Sequence, residues 1–138
     1  MIDTTSEFGK RVARRLSEEE IIWLTTTDSL GSPQPRPVWF LWNGDSILIF
    51  SQPDTYKVHH IRKQPRVSLN LNSDESGGNI TVILGQARII ETPVPENEIQ
   101  AYLEKYQQGL KQINMTEDEF NNSYSLAIKI MPLKLRGH

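Results

Sequence analysis

Cysteine is absent from all 138 residues. This excludes disulfides, thiolate metal sites and cysteine nucleophiles, and it suits a reducing cytoplasm. An excess of charge is lacking too: 15 basic and 17 acidic residues leave a formal charge of −2. That balance creates no field to draw in nucleic acid or an anionic membrane. The longest apolar run in the first half, Val38-Trp39-Phe40-Leu41-Trp42, is far short of the ~20 residues of a membrane span. The N-terminus carries Asp3 and Glu7 and no apolar stretch, so no secretory signal is expected. Neither internal repeats nor low-complexity segments occur.

Most catalytic templates are missing as well. The sequence contains no zincin helix, Walker loop, dinucleotide fingerprint or nucleophile elbow. Its histidines are His59, His60 and His138. Adjacent residues on a helix point about 100° apart, so His59 and His60 do not form a metal-binding pair, and no metal site is expected. Glu18-Glu19-Glu20, Glu96 to Glu98 and Glu117-Asp118-Glu119 read as first-turn residues that complement helix dipoles. No acid/base pair is assigned, and the catalytic residues stay unknown.

What is there reads as one domain over residues 1–138. Thr4 and Glu7 have capping-box spacing ahead of a helical stripe of Phe8, Val12 and Leu16. Lys10, Arg11, Arg14 and Arg15 read as the solvated face of that helix. Ile21 to Thr27 and Arg36 to Trp42 are strands, and Asn43-Gly44 signals a hairpin into Ser46–Ser51. Tyr56 to Lys63 is a short helix with Val58 and Ile61 inward, stopped by Pro65. Val67, Leu69 and Leu71 alternate with polar residues as one-sided strands do. Ile80 to Ile90 is a long strand in which Gly85 marks a bulge or a close backbone approach. Ile99, Tyr102, Leu103, Tyr106 and Leu110 spell one amphipathic helix. Thr116 and Glu119 cap another, and Leu126, Ile128 and Ile130, alternating with Ala127, Lys129 and Met131, give the last strand. The expected fold is mainly β with peripheral helices, a six-stranded antiparallel split β-barrel.

Without a protein nucleophile or acid, chemistry carried by a cofactor is the open route, and flavin chemistry is one such case. Arg36-Pro37-Val38-Trp39-Phe40-Leu41-Trp42, then Ile49-Phe50-Ser51, Lys57 and Gln64-Pro65-Arg66-Val67-Ser68-Leu69 resemble the pyridoxamine 5′-phosphate oxidase-like flavoprotein superfamily. The chain is most similar to its small single-domain branch, which includes probable deazaflavin-dependent reductases. The resemblance runs from about Trp23 to Ile90, with a weaker echo at Met131 to Gly137. It implies a two-fold homodimer with FMN, or alternatively a deazaflavin coenzyme, at the interface. Arg36, Pro37, Val38, Trp39 and Phe40 would run under the ring and supply backbone hydrogen bonds. Phe50 and Ser51 would touch the ring and ribityl chain, Lys57 would pair with the phosphate, and Arg36 would lie on the phosphate side or the ribityl side. Tyr56 stands where the oxidase has a basic residue and would offer a hydroxyl instead. The following strand has Ile80 or Asn79 where the oxidase has a polar ring contact, and the oxidase's longer C-terminal segment is missing.

The function implied is hydride transfer between FMN and a small organic substrate by a cytoplasmic enzyme, with no nucleic-acid or membrane partner. A deazaflavin-dependent reductase and a flavin-binding module without turnover are the alternatives. The apolar run Val38 to Trp42 would need cover on both faces, the second from a partner subunit.

Overall fold

The computed structural model describes residues 2–138. Its elements in chain order are α1 (Glu7–Glu18), β1 (Ile22–Thr27), β2 (Pro33–Val38), β3 (Leu41–Trp42), β4 (Ile47–Ser51), α2 (Tyr56–Lys63), β5 (Arg66–Asn70), β6 (Thr81–Ile90), α3 (Glu96–Lys105), α4 (Gln107–Gln112), α5 (Glu117–Ser123) and β7 (Leu126–Gly137). The strands form one antiparallel sheet in the order β2-β1-β5-β6-β7-β4-β3. The two edge strands, β2 and β3, are consecutive in the chain. Trp39 and Phe40 therefore link one edge of the sheet to the other, and the sheet curls into a half-barrel.

There are seven strands rather than six, because the expected strand Arg36–Trp42 changes partner midway. Its first part pairs with β1, where Leu24 faces Arg36, and its last part with β4, where Leu41 faces Leu48. Pro33, Pro35 and Pro37 alternate along β2. Proline lacks an N–H, so it is tolerated only where a strand has one free side, which fixes β2 as an edge. The Asn43-Gly44 hairpin joins β3 to β4, with Gly44 at φ 99°. The last strand runs on to Gly137 beside β6. Its register with β6 shifts between Leu84 and Gly85, as the glycine inside β6 suggests. A Cβ on Gly85 would lie 2.8 Å from Ile130 Cγ2 and 2.9 Å from the Met131 carbonyl oxygen, so bulge and close approach coincide.

The sheet wraps a core of Val12, Leu16, Ile22, Leu24, Phe40, Ile47, Ile49, Leu69, Ile83 and Ile128, closed by Val58 and Ile61 of α2. The cap of α1 is Ser6, whose Oγ accepts the Gly9 N–H at 3.0 Å, and not Thr4. Arg15 is not solvated. Its guanidinium donates to the carbonyls of Asn79 at 2.8 Å and Asn72 at 2.7 Å, tying α1 to the turn between β5 and β6. Glu18 ends α1 instead of opening a helix, and Glu19 pairs with Arg15.

A second core lies outside the barrel. Tyr102, Leu103, Tyr106, Leu110 and Phe120 pack there with Trp39, Leu41 and Phe50. The single helix expected from Ile99 to Leu110 is two, jointed at Tyr106 (φ −108°, ψ 21°). Bonds from Tyr106 N–H to the Tyr102 carbonyl and from Leu110 N–H to the Tyr106 carbonyl cross the joint, so the apolar spacing stays in register. The run Val38 to Trp42 thus finds both covers within its own chain. Phe40 enters the barrel, while Trp39 and Leu41 enter the helix cluster, so this run gives no reason for a partner subunit. Among the described residues no helix is long and apolar enough to cross a membrane.

Candidate functional site

The end of β2, the end of β4, the start of α2 and the helices α3–α5 enclose a cleft of about 430 Å³. That volume lies within the usual range of small-molecule sites. One end carries Arg36 from β2 and Lys57 from the first turn of α2. The rest is walled by Trp39, Phe50, Tyr102, Phe120 and Tyr124, with Ile113 at the edge.

The two cations define the electrostatics. Among the described residues neither Arg36 nor Lys57 has a carboxylate within ion-pairing distance. Burial, and then the charge of Arg36, hold the Lys57 ammonium below the ordinary lysine pKa of 10.5. Two like charges beside each other with no counter-ion are costly unless an anion joins them. An anion placed between them would relieve that repulsion.

The aromatic end is ordered by ring stacking. The indole of Trp39 lies flat on Tyr106, with centroids 4.5 Å apart and planes 3° apart. Phe120 lies 5.9 Å from Trp39, and Tyr102 meets Phe50 edge-on at 4.8 Å. Such contacts add to burial and fix ring orientation. Burial lifts the Tyr102 phenol well above the ordinary tyrosine pKa, so it stays neutral. The wall owes its shape to Gly109: a Cβ there would stand 2.9 Å from the Trp39 ring.

Of the residues singled out from sequence, Arg36, Pro37, Val38, Trp39, Phe50 and Lys57 line this cleft together. Phe40, Ser51 and Tyr56 do not. The Phe40 ring is fully buried in the barrel core, and its N–H donates to the Tyr106 hydroxyl at 2.7 Å. Ser51 is buried and donates to the Gln52 carbonyl at 2.7 Å. Tyr56 is 75% exposed and stacks loosely toward His60. The backbone donors expected along Arg36–Phe40 are also fewer: Pro37 has none, and the Phe40 N–H is taken by the Tyr106 hydroxyl. Ile80 and Asn79 stand apart, near the C-terminal pairing of Ile80 with His138. The histidines are elsewhere too. His59 Nε2 meets Asp54 at 2.9 Å and His60 Nδ1 meets Thr26 Oγ1 at 2.8 Å.

The lining residues that sequence reasoning missed are Ile21, in the link from α1 to β1, and Tyr102, Ile113, Phe120 and Tyr124, on or just past the helices α3–α5. Only Tyr102 carried a signal, as a tyrosine on an apolar helix face where leucine would have served a plain core.

The whole chain has clear relatives. A putative pyridoxamine 5′-phosphate oxidase from Listeria innocua is 22% identical, with a TM-score of 0.70 over 92% of this chain and 94% of that one. An F420 reductase is 19% identical, with a TM-score of 0.65 over 89% and 94% of the two chains. The haem-storage protein HutZ of Vibrio cholerae is 14% identical, with a TM-score of 0.66 over 96% and 95%. Identities this low establish a shared fold. No curated protein matches the sequence. The pyridoxamine 5′-phosphate oxidase family model, however, matches residues 8–136, from α1 through the half-barrel to the end of β7. With that span and this curled antiparallel sheet, the chain belongs to the pyridoxamine 5′-phosphate oxidase family.

Proposed function

We propose that the chain is an oxidoreductase that binds FMN in the cleft between β2, β4, α2 and the helices α3–α5. The observation that carries the reading is the pairing of two unpartnered cations, Arg36 and Lys57, with an aromatic-walled chamber. A phosphorylated, planar, tricyclic molecule matches both ends. When bound, such a group supplies the hydride chemistry, and the protein binds, orients and shields it. Arg36 and Lys57 hold the phosphate by charge-assisted bonds. Trp39, Phe50 and Phe120 hold the ring plane. A small organic substrate would stack on the exposed ring face, where positioning supplies rate without a protein acid or base.

A deazaflavin coenzyme is the second reading, favoured by the F420 reductase of the same fold; it too is a phosphorylated tricycle. Ring discrimination would rest on the same aromatic wall. The decisive measurement is the spectrum of the purified protein together with titrations of FMN and of deazaflavin. Yellow protein with flavin bands and a tight FMN titration supports the first reading. Colourless protein that takes up only the deazaflavin supports the second. Failure to bind either removes both, and bound flavin that no pyridine nucleotide reduces would make the chain a binding module without turnover.

The working unit in this reading is a cytoplasmic homodimer. Its support is an exposed apolar patch on β6 and β7: Leu84, Met131 and Leu133 are 36%, 44% and 46% exposed. Leu84 and Leu133 share a depression with Thr25, Ser68 and Arg66. Exposed leucines side by side on a sheet are a reason to expect a partner.

A further inference from the structure

The peptide joining β2 to β3 lies in no strand, so it must find its hydrogen bonds elsewhere. Buried backbone groups left unpaired are costly. The Phe40 N–H donates to the Tyr106 hydroxyl at 2.7 Å. The Phe40 carbonyl oxygen takes the Lys105 ammonium at 2.8 Å and lies 2.9 Å from the same hydroxyl. The hydroxyl also lies 2.7 Å from the carbonyl oxygen of Glu20, in the link from α1 to β1. A phenol has one proton to give. With Lys105 on the Phe40 carbonyl, Tyr106 is free to give that proton to Glu20, and all four groups are satisfied. Without Lys105, one of the two carbonyls goes short.

We propose that Lys105 and Tyr106 are positioning residues that latch the Trp39–Phe40 link and so set the wall of the cleft. The proposal rests on the cofactor reading of that cleft. Both residues act on neighbouring atoms: Lys105 sits 3.7 Å over the Phe40 ring, and Tyr106 carries the Trp39 indole flat on its face. Lys105 has no carboxylate within ion-pairing distance among the described residues. Burial brings its pKa down to about 8, with the Glu20 charge opposing the shift. A side chain chosen for stability alone would be apolar at such a place. The ammonium is kept there because it completes the latch.

The test uses the full-length protein labelled with 5-fluorotryptophan, free of ligand, with the Trp39 resonance identified by its loss in Trp39→Phe. Tyr106→Phe and Lys105→Met should each shift or broaden the Trp39 resonance while leaving those of Trp23 and Trp42 in place. Lys105→Arg, which keeps a cationic donor, should restore it. FMN affinity should fall about tenfold in Lys105→Met and recover in Lys105→Arg. A Trp39 resonance unmoved in Lys105→Met, or three resonances moving alike, overturns the latch. So does unchanged FMN affinity beside a displaced Trp39. Should the wild type bind no FMN at all while Trp39 still responds selectively, the latch stands and the cofactor reading falls.

Discussion

At the scale of single residues, one side chain and one missing side chain shape the cleft. Lys57 is a compact charge at the head of α2, and burial, then the Arg36 charge, hold its pKa below the ordinary lysine value. In the proposed FMN site, Lys57→Ala would remove one charge-assisted bond worth about 1.5–3 kcal/mol. FMN binding should weaken about ten- to a hundredfold in a fluorescence titration, and unchanged affinity would exclude Lys57 from the site. Gly109 acts through absence. Its conformation is ordinary, yet the methyl of Gly109→Ala would press on the Trp39 ring at 2.9 Å. Overpacking of this kind costs about 1–3 kcal/mol. The variant should melt earlier and bind FMN more weakly, whereas Gly31→Ala, with open space around it, tests only the positive φ of a turn.

At the scale of elements, the helical excursion from α3 to α5 is the part added to the sheet, and its packing rests on few anchors. One is the capping box at α5, where the Thr116 hydroxyl accepts the Glu119 N–H at 3.1 Å and the Glu119 carboxylate accepts the Thr116 N–H at 3.1 Å. The element is only seven residues long, too short to hold itself by propensity, so the cap and the buried Phe120 carry it. Thr116→Ala should cost about 1 kcal/mol. The loss should appear first as faster amide exchange over α5, with the protection of β1, β5 and β6 unchanged. Equal loss of protection across the sheet would mean that α5 and the half-barrel open as one unit.

At the scale of the whole molecule, association and pH are the two readable properties. If the patch of Leu84, Met131 and Leu133 is the dimer surface, Leu84→Arg together with Leu133→Asp should turn a sedimenting dimer into a monomer. A wild-type monomer at micromolar concentration would remove the dimer from the proposal. For pH, Lys105 has a folded pKa of about 8 against an ordinary 10.5. Between those values the unfolded chain binds more protons than the folded one, so stability rises with pH. Lys57 adds in the same direction. Above the ordinary tyrosine value of 10, Tyr102 and Tyr106, both raised by burial, reverse the trend. The urea midpoint should therefore be higher at about pH 9.5 than at pH 7, and the difference should shrink in Lys105→Met. A midpoint that falls steadily from neutral pH would contradict the burial of these groups.

Much of the fold was legible in the sequence because local chemistry carried it. Period-two alternation marked β5 and the start of β7, Asn-Gly marked the hairpin, Gly85 marked the bulge and Thr116 with Glu119 marked the cap of α5. Each is decided within a few residues. Arg36, Lys57 and Phe50 were legible only through family resemblance, since charge and aromaticity alone do not say which strand ends meet. Tertiary structure decided the rest. The strand expected through Val38 to Trp42 breaks at Trp39–Phe40, where pairing passes from β1 to β4 and the Phe40 peptide bonds to Tyr106, far along the chain. Whether Arg15 is solvated depends on carbonyls in a distant turn. The aromatic wall depends on helices whose tyrosines look like ordinary core residues until the sheet curls and brings Trp39 against them. A sequence states which groups need partners. Only the closed sheet determines which groups come within reach, because a hydrogen bond or a ring stack exists only at contact distance.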